Sequence, residues 1–139
     1  MAIYLDYNAT TPIRDEVKQS MLEVMGLPLN SSSVHSYGRK AKSYLQNARN
    51  SVANLINANN DQIVFTSGGT EANSMIMQSS KHPLISSIEH DAVMASSINP
   101  EFIDVNSDGV VNLDKLETKI NSTNPDMISV MWANNETGV

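Results

Sequence analysis

Apolar positions recur along the chain with a period that changes partway. Val17, Met21, Val24 and Met25 fall at i, i+4, i+7 and i+8, the spacing of one helix face. Thr11 followed by Pro12 predicts the start of this helix, a capping hydroxyl before proline at the first helical position. Asp15 and Glu16 then sit in the first turn, where the helix dipole favours carboxylates, and Gly26 with Pro28 predicts the stop. A longer helix is predicted from about Ser36 to Asn57. Its apolar stripe is Ala41, Tyr44, Leu45, Ala48, Val52, Leu55 and Ile56, with Arg39, Lys40, Lys42 and Arg49 largely outside it.

After Asn59-Asn60-Asp61 the pattern shortens. Ile63-Val64-Phe65 predicts a buried strand, Ser67 to Thr70 a turn, and Glu71 to Met77 a helix. Leu84-Ile85, Phe102 to Val105 and Met127 to Trp132 predict three further strands. Between them, His90 to Ser97 and Leu113 to Ile120 read as helices. Strands alternating with helices predict an α/β fold, a mostly parallel sheet flanked by helices. No internal repeat or low-complexity tract interrupts it.

Composition narrows the chemistry. The 139 residues are 40% hydrophobic, enough for a modest core, with a net charge of −6. That charge disfavours a broad basic surface, so no nucleic-acid partner is expected, while a local anion pocket remains open. There is no cysteine, which excludes a disulfide framework and a cysteine nucleophile within these residues. No apolar run approaches the ~20 residues of a membrane span, and the N-terminal residues lack the apolar h-region expected of a signal peptide. A soluble, cytoplasmic protein without membrane contact is expected. Val139 lies a few residues past the last predicted strand, inside a segment where α/β sheets bind ligands, so a truncated domain is expected.

Three segments are candidates for chemistry. Thr66-Ser67-Gly68-Gly69-Thr70, between a predicted strand and a helix, offers glycine backbone, free helix amides and a hydroxyl to a phosphate. It lacks the lysine of a Walker loop and the third glycine of a dinucleotide fingerprint, and such glycines are more often a tight turn. His90 follows a strand end, where a histidine gains functional weight, although a lone histidine is more often surface or core. Asp104, Asn106, Asp108 and Gly109 match the first half of a calcium loop, but the twelfth position is Lys115 rather than a bidentate glutamate. A strand–turn–strand with Asp108-Gly109 at the turn is the preferred reading.

Taken together, five blocks resemble cysteine desulfurases, pyridoxal-phosphate (PLP) enzymes of the class V aminotransferase group. They are Tyr4 to Pro12, Ser32 to Ala41, Phe65 to Asn73, Glu89 to Val93 and Asn134 to Gly138. Order and spacing fit across the whole chain, which matches about the first third of a typical member. The resemblance implies the N-terminal part of the fold-type-I large domain, with residues 1–12 an arm and 13–139 a partial PLP-binding domain. It implies that Gly69 and Thr70 hold the cofactor phosphate, that His90 stacks on the pyridine ring and acts in catalysis, and that Asn135 bonds the ring's phenolic oxygen. Asn8, Ala9 and Thr10 are implied on the substrate side. The implied reaction converts L-cysteine to L-alanine and an enzyme persulfide for iron–sulfur cluster or thio-cofactor synthesis. The implied partners are a second copy in a homo-oligomer or a complementary C-terminal fragment, and a sulfur-acceptor scaffold protein.

The resemblance also implies residues these 139 do not contain. None of the six lysines, Lys18, Lys40, Lys42, Lys81, Lys115 and Lys119, lies in a Ser-x-His-Lys stretch for the Schiff-base link. Asp91-Ala92-Val93-Met94 is not the Asp-x-x-Gln motif that serves the ring nitrogen, and no thiol is present. Ser31 stands where the family usually has proline. Inactivity of this chain alone is therefore expected. Two alternatives stand beside this reading: a small non-catalytic α/β module binding a phosphate ligand at Gly68 to Thr70, and a calcium module at Asp104 to Asp108.

Overall fold

The structure, a computed structural model, describes residues 3–139, so the first two residues of the predicted arm lie outside the described residues. The chain divides after Phe65 into two compact units.

In the first unit, α1 spans Asp15–Met25 and begins later than Thr11-Pro12 predicts. Arg14, extended, takes the N-cap position without a side-chain bond, and Asp15 and Glu16 supply the negative charge the helix start favours. α2 spans Ser36–Leu55 as its stripe predicts, and the His35 Nδ1 accepts a hydrogen bond from the Gly38 amide at 3.3 Å, capping it. Gly38, Ala41 and Ala53 are the buried residues of α2. The apolar stripe of α1 stays half-exposed, with Val17 at 47% and Met21 at 48%.

The strand predicted at Ile63 to Phe65 does not form. Ile63 is extended, but no strand pairs with it among the described residues, and a strand exists only through its ladder. Arg49 occupies this segment instead. Its Nε donates to the Ile63 carbonyl at 3.2 Å and its guanidinium lies 5.5 Å from the Phe65 ring centroid.

The second unit is built on a three-stranded parallel sheet of order β2-β1-β3. α3 spans Gly69–Met77, β1 Pro83–Ser86, α4 Asp91–Met94, β2 Glu101–Ile103, α5 Leu113–Thr123 and β3 Met127–Ser129. The central strand β1 is buried along its whole length, as a parallel strand covered on both faces must be. Ile85 packs with Met77 of α3 and Val93 of α4, and Met94 and Met127 close over them. Leu84 and Ile103 are fully buried.

The outer strands are shorter than Phe102 to Val105 and Met127 to Trp132 predict. Each pairs with only three residues of β1, Leu84 to Ser86 on one side and Pro83 to Ile85 on the other. A four-residue central strand limits what its neighbours can pair with. α4 is likewise shorter than His90 to Ser97, and the Ser97 hydroxyl takes the Val93 carbonyl at 2.7 Å, competing with the helix for that acceptor.

The Asp108-Gly109 turn forms as expected. Val105 and Val111 make an antiparallel bridge, and Gly109 adopts φ +83. This arrangement does not supply a calcium shell. Asp104 pairs with Lys115 at 3.1 Å, Asn106 Oδ1 accepts from Asn112, and Asp108 Oδ1 accepts from the Val110 amide. Among the described residues no three acid, histidine or cysteine side chains converge on a metal position.

Candidate functional site

Parallel pairing puts the carboxyl ends of β1 and β3 on the same edge of the sheet. The loops that leave them, 87–90 and 130–138, therefore meet. Ser87 to Asp91, Asn135 and Glu136 line one cavity of about 320 Å³. Two residues 45 positions apart in the chain, His90 and Asn135, thus share one concave surface.

His90 is placed by a local bond. It stands at the N-cap of α4, and its Nδ1 accepts from the Ala92 amide at 3.0 Å. In the neutral ring this leaves the proton on Nε2. The ring is held at one edge and exposed at the other. Asn135 is exposed on the opposing loop. Its neighbour Asn134 is buried and anchors that loop. Asn134 Oδ1 accepts from the amides of Glu136 at 2.9 Å and Thr137 at 2.8 Å, and Nδ2 donates to the Ile88 carbonyl at 2.9 Å. A second tie joins the same two strand ends, since the Ser129 hydroxyl donates to Glu89 Oε1 at 3.2 Å. Sequence reasoning singles out neither Asn134 nor the Glu89–Ser129 pair. Nothing in an Asn-Asn dipeptide tells which amide points inward.

Gly69 and Thr70 lie outside this cavity lining, at the start of α3. Gly68, at the N-cap, provides no side chain, and the amides of Gly69, Thr70 and Glu71 have no hydrogen-bond partner among the described residues. A Cβ built at Gly68 or Gly69 would meet nothing within 4 Å, so the approach to these amides is open. Glu71 turns back on the loop and accepts from the Ser67 amide at 2.6 Å. Hydrogen bonds from Ser67, its hydroxyl first and its amide second, lower the Glu71 pKa. The Ser74 hydroxyl of α3 and the Ser96 hydroxyl, two residues past α4, are hydrogen-bonded at 2.6 Å.

These two places differ in charge. Glu89, Asp91 and Glu136 make the cavity edge acidic, which repels a phosphate. The helix amides of α3 attract one. The imidazole and the carboxamide share one cavity, while the open amides belong to the separate turn at the start of α3. Asn8, Ala9 and Thr10 belong to the first unit, in an exposed turn that closes on itself. The Ala9 and Thr10 amides donate to the Asp6 carbonyl at 3.2 and 3.3 Å, and the Tyr4 hydroxyl donates to the Asp6 and Thr10 carbonyls.

A parallel sheet with polar groups on loops beyond its carboxyl ends is the design of α/β ligand-binding domains. The chain belongs to the aminotransferase class-V family, whose model matches residues 3–139. Within that family it is similar to cysteine desulfurases. It is 40% identical to cysteine desulfurase IscS 1 of Archaeoglobus fulgidus, over 97% of this chain and 39% of that protein. It is 36% identical to cysteine desulfurase IscS of Dictyoglomus turgidum, over 98% of this chain and 38% of that one. The NifS-like protein of Rickettsia africae superposes with a TM-score of 0.87 at 38% identity, covering 99% of this chain and 41% of that one. The chain thus spans about two fifths of the length of the curated relatives it matches. Among the described residues no helix is long and apolar enough to cross a membrane.

Proposed function

We propose that these residues form part of the cofactor cradle of a PLP-dependent cysteine desulfurase. The observation that carries this reading is the shared cavity of His90 and Asn135, together with a helix start at Gly69 whose first amides have no partner among the described residues. In it residues 13–139 are part of the cofactor-binding domain and 1–12 the arm that precedes it. Gly69 and Thr70 bind the phosphate through backbone amides and a hydroxyl. His90 stacks on the pyridine ring, with Nε2 free to hold or move a proton. Asn135 orients the ring through its phenolic oxygen, and Asn8, Ala9 and Thr10 face the substrate. PLP supplies the electron sink for cleavage of the carbon–sulfur bond of L-cysteine.

The remaining chemistry needs groups these 139 residues lack: a lysine in a Ser-x-His-Lys stretch, an acid for the ring nitrogen, and a thiol to accept sulfur as a persulfide. They come from further polypeptide or a complementary fragment, since a second copy of these residues would lack them too. The complete enzyme passes sulfur to an acceptor scaffold protein for iron–sulfur clusters or thio-cofactors. The chain alone, given PLP and cysteine, releases neither alanine nor sulfide.

Pyridoxamine 5′-phosphate tests the cradle directly, because it cannot form imines with exposed lysines. We expect saturable binding, followed by tryptophan fluorescence or calorimetry, that weakens strongly for unphosphorylated pyridoxamine. Equal binding of both forms, or of neither, overturns the reading. The free α3 amides also favour a second reading, a module for phosphate ligands in general. Inorganic phosphate binding as tightly as pyridoxamine 5′-phosphate would select it.

A further inference from the structure

We infer that Asn134 is the positioning residue that sets the spacing of His90 and Asn135 across the cavity. This rests on the reading above only in what it says the spacing is for. Asn134 is buried, 8% exposed as a residue, unlike its exposed neighbour Asn135. Its single carboxamide works in two directions. Oδ1 gathers the Glu136 amide, the Thr137 amide and, at 3.1 Å, the Thr137 hydroxyl. Nδ2 reaches across to the Ile88 carbonyl, two residues before His90. The Asn134 carbonyl accepts from the Gly138 amide at 2.9 Å and completes the loop.

Residue chemistry makes this site specific for asparagine. The Oδ1 side faces three donors and the Nδ2 side faces a carbonyl, which fixes the orientation of the amide. Aspartate has the same shape and keeps the acceptor, but sets an oxygen against the Ile88 carbonyl. A leucine would take the acceptor from the Glu136 and Thr137 amides and the donor from the Ile88 carbonyl. The bond to Ile88 therefore joins the β1 loop, which carries His90, to the β3 loop, which carries Asn135. The Ser129–Glu89 bond holds the strand ends together but does not reach the 135–138 turn.

The test is amide NMR on the full 139-residue chain with pyridoxamine 5′-phosphate titrations. In the wild type we expect a cross-relaxation signal between the Asn134 side-chain amide and the backbone of Ile88 and Glu89. Asn134→Asp should shift the amides of residues 88–91 as well as 135–138, and weaken pyridoxamine 5′-phosphate about tenfold, the loss expected for one donor. Thr137→Val removes only bonds within the loop, the one given to Asn134 Oδ1 and the one accepted from the Val139 amide. It should shift 135–138, leave 88–91 in place and change affinity by less than about twofold. If Asn134→Asp moves 135–138 alone, or leaves affinity unchanged in a wild type that binds, the inference is overturned. If the wild type binds nothing but Asn134→Asp shifts both loops, the positioning holds and the cofactor reading fails. If Asn134→Asp does not fold, the wild-type signal decides, and its absence overturns the inference.

Discussion

The Ser80 hydroxyl and the Asp126 carboxylate are hydrogen-bonded across 46 residues of chain. The same carboxylate accepts from the Lys81 amide at 2.9 Å and the His82 amide at 3.1 Å. It therefore stitches the turn before β1 to the turn before β3. That bond set starts both strands together, which matches the observed register of Pro83 with Met127. A carboxylate with three donors from one short segment works as a clamp on strand pairing rather than as a reactive group.

Protonation should open this clamp. The Ser80 hydroxyl, then the Lys81 amide, pull the Asp126 pKa from 3.8 down to about 2, against a smaller opposing effect of burial and with lesser help from His82. A carboxylate whose pKa is lower in the folded state stabilises the fold above its unfolded pKa. The contribution is complete above about pH 4 and is lost as pH falls towards about 2. Asp126→Asn should melt below wild type at pH 7, followed by circular dichroism. Between pH 4 and 2 it should lose less stability than wild type does. Parallel acid curves for the two proteins would refute the clamp.

Gly38 makes a prediction that runs against helix propensity. It lies inside α2, where alanine ordinarily stabilises by about 1 kcal/mol. A Cβ there would sit 1.9 Å from the Ser33 carbonyl oxygen and 2.7 Å from Ser33 Cβ. Both are fixed by the turn that leads to the His35 cap. Gly38→Ala should therefore destabilise the first unit by about 1–3 kcal/mol, the usual cost of overpacking, in urea unfolding. A gain in stability would show that the loop moves aside freely.

These cases indicate which parts of the fold the amino-acid pattern reveals. α2 is legible because a stripe over three or more turns has one solution, and the parallel sheet is legible from the alternation of strands with helices. Ile63 to Phe65 misleads because an apolar triplet encodes a preference for extension and not a partner, and here Arg49 takes that carbonyl. The start of α1 misleads because Thr11-Pro12 is a local signal that the carboxylates of Asp15 and Glu16 make unnecessary. In the site, His90 and Asn135 are legible through the resemblance, and parallel topology explains why they meet. Asn134 is not, since burial of one amide in a pair depends on Ile88, far away in sequence. The Gly38–Ser33 approach is hidden for the same reason.

His90 serves two purposes that substitution can separate. Its Nδ1 caps α4, and its ring faces the cavity. His90→Ala removes both, and should cost about 1 kcal/mol, as lost N-caps do. Asparagine is a good N-cap residue, so His90→Asn should keep the wild-type unfolding midpoint. Both variants lose the ring face, and both should weaken pyridoxamine 5′-phosphate by about tenfold. Wild-type affinity in His90→Asn would remove the ring from the proposed cradle while leaving its capping role intact.

Gly69 allows the proposed anion site to be tested without harming the helix. It is the first residue of α3, where the amide has no intrahelical acceptor and proline is well tolerated. Proline also requires an extended residue before it, and Gly68 already has φ 167 and ψ −177 with no side chain to clash. Gly69→Pro therefore deletes one amide donor at little structural cost. Gly69→Ala keeps the donor and adds a Cβ into open space. Both variants should melt at or slightly above the wild-type temperature. Gly69→Ala should bind pyridoxamine 5′-phosphate within about threefold of wild type, and Gly69→Pro about tenfold more weakly, one charge-assisted bond being lost. Because the stabilities match, a difference in affinity between the two isolates the Gly69 amide. Equal affinities in calorimetry would place the phosphate somewhere other than the start of α3.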